Sequence, residues 1–351
     1  MKFSDLNTQF PAIMDSGISV ELVSAPGRGK SEFVRDFAKS RGWGFQTMFL
    51  ATKSPADLMG YLAFADRDGK KISEYAEPEW MRTDDGKHTT DYPRGILFLD
   101  EYGQGESDTK RASAELLLNR QLGPWRLPDG WSVVAASNRS KDRSGVTKSF
   151  DFAINRRLEI HITDDVESWK SWAMRNGVPA EFIAFADSNI HIVFNSDVPK
   201  EQGPWCTPRS LVMTARLLDK MRDPQGNLQV TPIGTELAAG LIGAGAAGQL
   251  MATIQLGLEM PTLDDIVKDP SNVRVPEKPD ARMLVAYNLA ARITKDNSAA
   301  VVTYLERFPK EFAVTFGKSA IARDPKIVNY PAVTQWAMKN ASLMTTIGGA
   351  Q

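Results

Sequence analysis

The segment Val20–Ser31, VELVSAPGRGKS, constrains this chain more than any other stretch. A short apolar run delivers the backbone to a glycine-containing loop that closes on Lys30-Ser31. That order predicts a β-strand, a tight turn and the first turn of a helix, which is the sequence form of a phosphate cradle. Ala25, Pro26, Gly27, Arg28 and Gly29 form the loop, and its two glycines let backbone N–H groups crowd around phosphate oxygens. Lys30 adds a point charge, Ser31 offers a hydroxyl to Mg²⁺, and Glu32 follows as the helix begins. One position departs from the strict G-x-x-x-x-G-K-[ST] pattern. Ser24 stands where the first glycine belongs, which works if that turn needs no positive φ.

Composition narrows the class. A chain of 351 residues is long enough for two or three compact units with a large core. Its charges nearly cancel, at a formal net charge of −1, which argues against a protein whose main work is coating nucleic acid. The single cysteine, Cys206, excludes an internal disulfide framework and a Cys-based zinc site, and suits a reducing, cytoplasmic setting. His88, His161 and His191 are scattered without metal spacing. The first twenty residues lack the apolar run of a signal peptide. Leu237–Leu258 carries no charge, but its Ala and Gly content and its Gln249, Thr253 and Gln255 predict a closely packed helix rather than a membrane span. Gly243, Gly245 and Gly248 in that stretch match a dinucleotide fingerprint with no strand signal ahead of them, so they predict helix packing instead.

Strand-like and helical runs alternate through the first 160 residues. Val20–Ser24, Gln46–Leu50, Ile96–Leu99, Ser132–Ala136 and Leu158–Ile162 read as strands, with helices over Ser31–Ser40 and Asp108–Asn119. This alternation predicts an α/β fold with a parallel sheet covered on both faces. Two hairpins interrupt it, at Tyr61–Tyr75 around Asp68-Gly69 and at Asn119–Trp131. From Asp164 onward the pattern is helical: Ser168–Asn176, Pro179–Ser188, Arg209–Met221, Glu236–Leu258, Arg282–Ile293, Ala299–Phe308 and Pro331–Lys339. A Pro-rich connector, Pro261–Pro279, predicts an internal boundary. The expected division is an α/β core over 1–163, a helical unit over 164–262 and a C-terminal helical extension over 263–351.

Four further motifs carry chemistry. The apolar run Ile96–Leu99 ends in Asp100-Glu101, where one carboxylate can hold Mg²⁺ and the other can polarise an attacking water. Ser132–Asn138 is a second buried strand, with Asn138 at the carboxyl end, where ligands of doubly wound sheets sit. Asn155-Arg156-Arg157 precedes the last strand of the core, and an arginine there can stabilise charge on a phosphoryl group. In Thr207-Pro208-Arg209-Ser210, Thr207 suits a helix cap and Pro208 the first turn, from which Arg209 projects.

In this order the motifs resemble the AAA+ ATPases, and more closely their MoxR branch. Asp129–Val146, Asp165–Trp172, Thr207–Ser210 and Val302–Phe308 extend the likeness over most of the chain. The resemblance implies a P-loop NTPase core followed by an all-helical lid. It makes Lys30 and Ser31 the Walker A residues, Asp100 and Glu101 the Walker B pair, Asn138 sensor 1 and Arg209 sensor 2. The arginine finger falls at Arg156 or Arg157. Arg156 is preferred, although Arg157 stands where the family usually has an aromatic. The hairpins correspond to the helix-2 insert and the pre-sensor-1 hairpin, which face the pore in this branch. Implied with them are ATP and Mg²⁺, a homo-oligomeric ring of six, a partner with a von Willebrand factor A domain and a protein client for remodelling. Two other readings stay open: a nucleic-acid motor or loader, and a nucleotide-gated assembly scaffold with little turnover.

Overall fold

The computed structural model describes residues 1–142, 155, 157–195 and 197–340. The chain forms two compact units, one of Met1–Asp165 with Ser196–Val198, the other of Val166–Asn195 with Pro199–Gln351.

The first unit is built on strands β1 (Val20–Ser24), β2 (Gly44–Phe49), β3 (Leu62–Arg67), β4 (Lys70–Tyr75), β5 (Gly95–Asp100), β6 (Gln121–Leu122), β7 (Trp125–Arg126), β8 (Trp131–Asn138) and β9 (Leu158–His161). Five of these make a parallel sheet in the order β2-β5-β8-β1-β9. β1, β5 and β8 are buried at every position, as their consecutive apolar residues predict for strands covered on both faces. Alternate side chains divide between two cores. Ile96, Phe98, Val134 and Ala136 join Leu6, Phe10 and Met14 of helix α1 (Phe3–Asp15) and Val34, Phe37 and Ala38 of α2 (Lys30–Ser40). Leu97, Leu99, Val133 and Ala135 pack on the other face with Leu58 of α3 (Pro55–Met59) and Leu116 and Leu117 of α4 (Ser107–Asn119). Each such buried Leu or Phe contributes about 1.5–3 kcal/mol relative to exposure.

Both hairpins are present. β3 and β4 pair through a two-residue turn in which Asp68 and Gly69 both take positive φ, at 54° and 71°, the geometry that favours Asp-Gly. The ribbon is exposed, and Phe64 is 89% accessible. β6 and β7 form the second, shorter hairpin.

The second unit is helical in its described residues, and one core runs through it. Phe182, Leu250, Leu284, Tyr304 and Phe316 belong to a single cluster, which crosses the boundary expected at 262/263 without interruption. Glu236–Leu258 is not one helix as expected. It divides into Pro232–Ile242 and Ala244–Leu258 at Gly243, whose φ of 81° suits glycine and whose missing Cβ lets the backbone approach Pro204 O. A helix rather than a strand therefore precedes the Gly243-Gly245-Gly248 motif. The helices Phe3–Asp15 and Lys310–Arg323 were not anticipated from the sequence. Among the described residues no helix is long and apolar enough to cross a membrane.

Candidate active site

β1 runs out at Ser24 and α2 starts at Lys30, so the intervening loop must turn the chain sharply. Gly27 and Gly29 do so with φ of 73° and 87°, a region where other residues are strained. Ser24 remains outside that region, so the missing first glycine of the motif carries no backbone penalty. Its hydroxyl instead accepts a hydrogen bond from Lys30 Nζ at 3.0 Å.

Strand order assembles the rest. β8 lies between β1 and β5, with Asn138 in register with Ser24. Lys30 Nζ donates to Asn138 Oδ1 at 3.2 Å, and Asn138 Nδ2 donates to Glu101 Oε2 at 3.2 Å. The amide thus presents its acceptor to the cation and its donor to the carboxylate, which fixes its orientation. Ser31 Oγ donates to Asp100 Oδ2 at 2.8 Å, while the Glu101 N–H donates to Asp100 Oδ1 at 3.0 Å. Lys30, Asp100 and Asn138 are buried. Glu101 opens a short turn with φ 51° and ψ 35°, a left-handed conformation that costs a residue with a Cβ about 1 kcal/mol or more. Six side chains, Ser24, Lys30, Ser31, Asp100, Glu101 and Asn138, from three strand ends and one helix start therefore converge at the carboxyl end of the sheet, where crevices of α/β sheets take ligands.

Mg²⁺ fits this donor set. The Ser31 hydroxyl and Asp100 carboxylate are hard oxygen ligands 2.8 Å apart, and Mg²⁺ uses few protein ligands beside waters and phosphates. No group of three or more His, Cys, Asp or Glu able to hold a metal occurs among the described residues. When bound, the ion neutralises charge on phosphate oxygens.

Other residues singled out in the sequence lie elsewhere. The Arg28 side chain is 5% exposed and ion-paired through Nε with Asp164 Oδ1 at 3.0 Å, with Arg139 and Asp142 close by. Burial lowers the Arg28 pKa, against the pull of Asp164, and burial raises that of Asp164. The Arg28 side chain anchors the loop to the chain beyond β9. Arg157 departs from the expectation of an outward-reaching finger. Its side chain is 2% exposed and its Nε meets Glu21 Oε2 at 2.5 Å. A guanidinium held in that buried pair is withdrawn from any neighbouring copy. Arg156 lies outside the described residues. Arg209 belongs to the second unit and is exposed in the first turn of the helix Pro208–Asp219, where Thr207 and Ser210 form the expected cap. The sequence reading passed over Glu21, Tyr102 and Lys110, all buried in the first unit. Their signal was a charge inside an apolar strand and another on the inward face of α4.

No protein-family model matches this chain, and no curated protein matches it either. Its likenesses are to solved structures of low identity. NtrX from Brucella abortus, in complex with ADP, is 14% identical over 97% of this chain and 67% of its own, at a TM-score of 0.40. A RuvB variant from Thermotoga maritima is 14% identical over 71% of this chain and 66% of its own, at 0.36. An ATPase candidate from Cytophaga hutchinsonii is 14% identical over 91% of this chain and 83% of its own, at 0.34.

Proposed function

We propose that this chain is an ATP-hydrolysing AAA+ protein of the MoxR type. The observation that carries the reading is the continuous chain Lys30–Asn138–Glu101 beside the Ser31–Asp100 pair. Lys30 and the loop Ala25–Gly29 bind the phosphates, and Ser31 and Asp100 hold Mg²⁺. Asn138 orients a water and Glu101 accepts its proton as the oxygen attacks the γ-phosphorus. The bond from that phosphorus to the bridging oxygen breaks, and ADP departs with the electron pair. Arg209 is the helical unit's candidate for phosphate contact. Arg156, contributed by a neighbouring copy in a six-membered ring, stabilises the transferring group. The exposed β3–β4 ribbon with Phe64 is the candidate surface for a protein client, and remodelling of that client with a von Willebrand factor A domain partner is the proposed output.

Phosphate release from Mg²⁺-ATP by the purified full chain tests the reading. Glu101→Gln is expected to bind ATP as the unmodified protein does while kcat falls by about 10²–10⁴-fold, the usual contribution of a general base. Undiminished hydrolysis in that variant removes Glu101 from its role. A wild-type chain that neither binds nor cleaves ATP sinks the proposal.

A further inference from the structure

The turn that carries Glu101 is held by two buried cations that the reaction above does not use. The left-handed Glu101 is followed by a single helical turn, Tyr102–Gln104, closed by Gln104 N–H donating to Glu101 O at 2.9 Å. Such a backbone persists only where its surroundings over-determine it. Lys110 of α4, 1% exposed, donates from Nζ to Gly103 O in the middle of this turn at 2.7 Å. The same ammonium lies 5.7 Å from the centroid of the buried Tyr102 ring, and Arg157 Cζ lies 5.4 Å from it. Both separations are within the range of cation–π attraction. Arg157 is itself held by Glu21 of β1, whose other carboxylate oxygen accepts from Ser137 Oγ of β8.

We propose that Lys110 is a positioning residue for Glu101: its charge, with the Glu21–Arg157 pair, locks the Tyr102–Gln104 turn so that the Glu101 carboxylate stays on Asn138. The inference rests on the reading of Glu101 as the group that activates water. A purely packing role is the weaker account, because an apolar side chain of similar volume fills a buried position at no desolvation cost. Among the described residues, Glu21 from β1, Arg157 ahead of β9 and Tyr102 from the turn face the ammonium. Burial lowers the Lys110 pKa to about 8, with Glu21 opposing the fall and Arg157 adding to it. The clamp is therefore charged below that pH and loses its charge as pH rises past it.

Lys110→Met and Lys110→Arg in the full chain test this, with folding checked by circular dichroism. Lys110→Met is expected to lower kcat by about 10- to 100-fold, the cost of a slightly misplaced catalytic group. ATP affinity should stay within about two-fold, since the phosphate contacts are untouched. Lys110→Arg is expected to restore most of kcat and to move the alkaline decline of kcat upward by about one pH unit or more, because guanidinium keeps its proton. A folded Lys110→Met with unchanged kcat and pH profile overturns the proposal. So does a Lys110→Arg protein as impaired as Lys110→Met, which marks shape rather than charge. Should Lys110→Met fail to fold, an unshifted alkaline limb in Lys110→Arg overturns it alone. A Glu101→Gln protein as active as wild type overturns the underlying reading instead, and this inference with it.

Discussion

The two compact units spend their interiors differently. In the α/β unit, Glu21, Lys30, Asp100, Lys110, Asp142 and Asp165 are all buried, along with Asn138 and Gln46. Among the described residues of the helical unit, the buried polar side chains are uncharged hydroxyls: Thr207, Thr214, Ser298 and Ser319. Its most enclosed ion pair, Lys170–Asp187, keeps 13% exposure on each side chain and is braced by Tyr287 Oη, which donates to Asp187 at 2.7 Å. Burying charge is costly and seldom improves stability over a well-packed apolar side chain. Among the described residues, one unit takes on that cost repeatedly, the other hardly at all. Only Lys30 and Asp100 of these charges lie at the candidate site; Asp142 pairs with Arg139, Asp165 accepts from Ser4, and Glu21 and Lys110 lie around Arg157 and the Tyr102 turn.

This contrast is open to direct attack. Leu250→Ala should produce the largest stability loss, about 2–5 kcal/mol, by opening a cavity in the helical core where Leu250 is fully buried. Chemical denaturation followed by circular dichroism measures it. Lys30→Met should act the other way round: ATP affinity falls by about 10- to 100-fold, as loss of a charged hydrogen-bond donor predicts, while the ligand-free protein melts no earlier. Titration with a fluorescent nucleotide and a melting curve of the same sample give both numbers. If Lys30→Met destabilised the apo protein as much as Leu250→Ala, the distinction between the units would break. Gly243→Ala should cost less, about 1–2 kcal/mol, because the φ of 81° and the contact with Pro204 O oppose a Cβ. A Gly243→Ala protein as stable as wild type would mean that the two helices meeting there can straighten into one.

Much of the first unit was legible beforehand. Its strands are short apolar runs whose neighbours on both faces are helices, so consecutive burial shows as consecutive Val, Leu, Ile and Ala, as in Ile96–Leu99. The Gly27 and Gly29 turns and the Asp68-Gly69 hairpin are equally local, because positive φ selects for glycine and its few substitutes within a residue or two. Arg157 was read less well. In the chain it is one of two adjacent arginines, and only its partner Glu21, 136 positions away, shows that it faces inward. Lys110 was missed for a related reason. On an amphipathic helix a lysine ordinarily marks the solvent face, and here it marks the opposite one. The division at Gly243 was hidden by uniformly helix-compatible neighbours, among which a single glycine is usually tolerated.

Local chemistry, then, determined the glycine-bearing turn between β1 and α2, the acidic strand end and the α/β-then-helical order, since each depends on propensities that act over a few residues. The order β2-β5-β8-β1-β9 was decided by tertiary structure, through hydrogen bonds and side-chain packing between strands far apart in the chain. That order places Asn138 between Lys30 and Glu101, and it seats Lys110 and Arg157 beside the ring of Tyr102. Burial turns those separate polar residues into one site, because a charge removed from water must find its partner wherever the fold brings one.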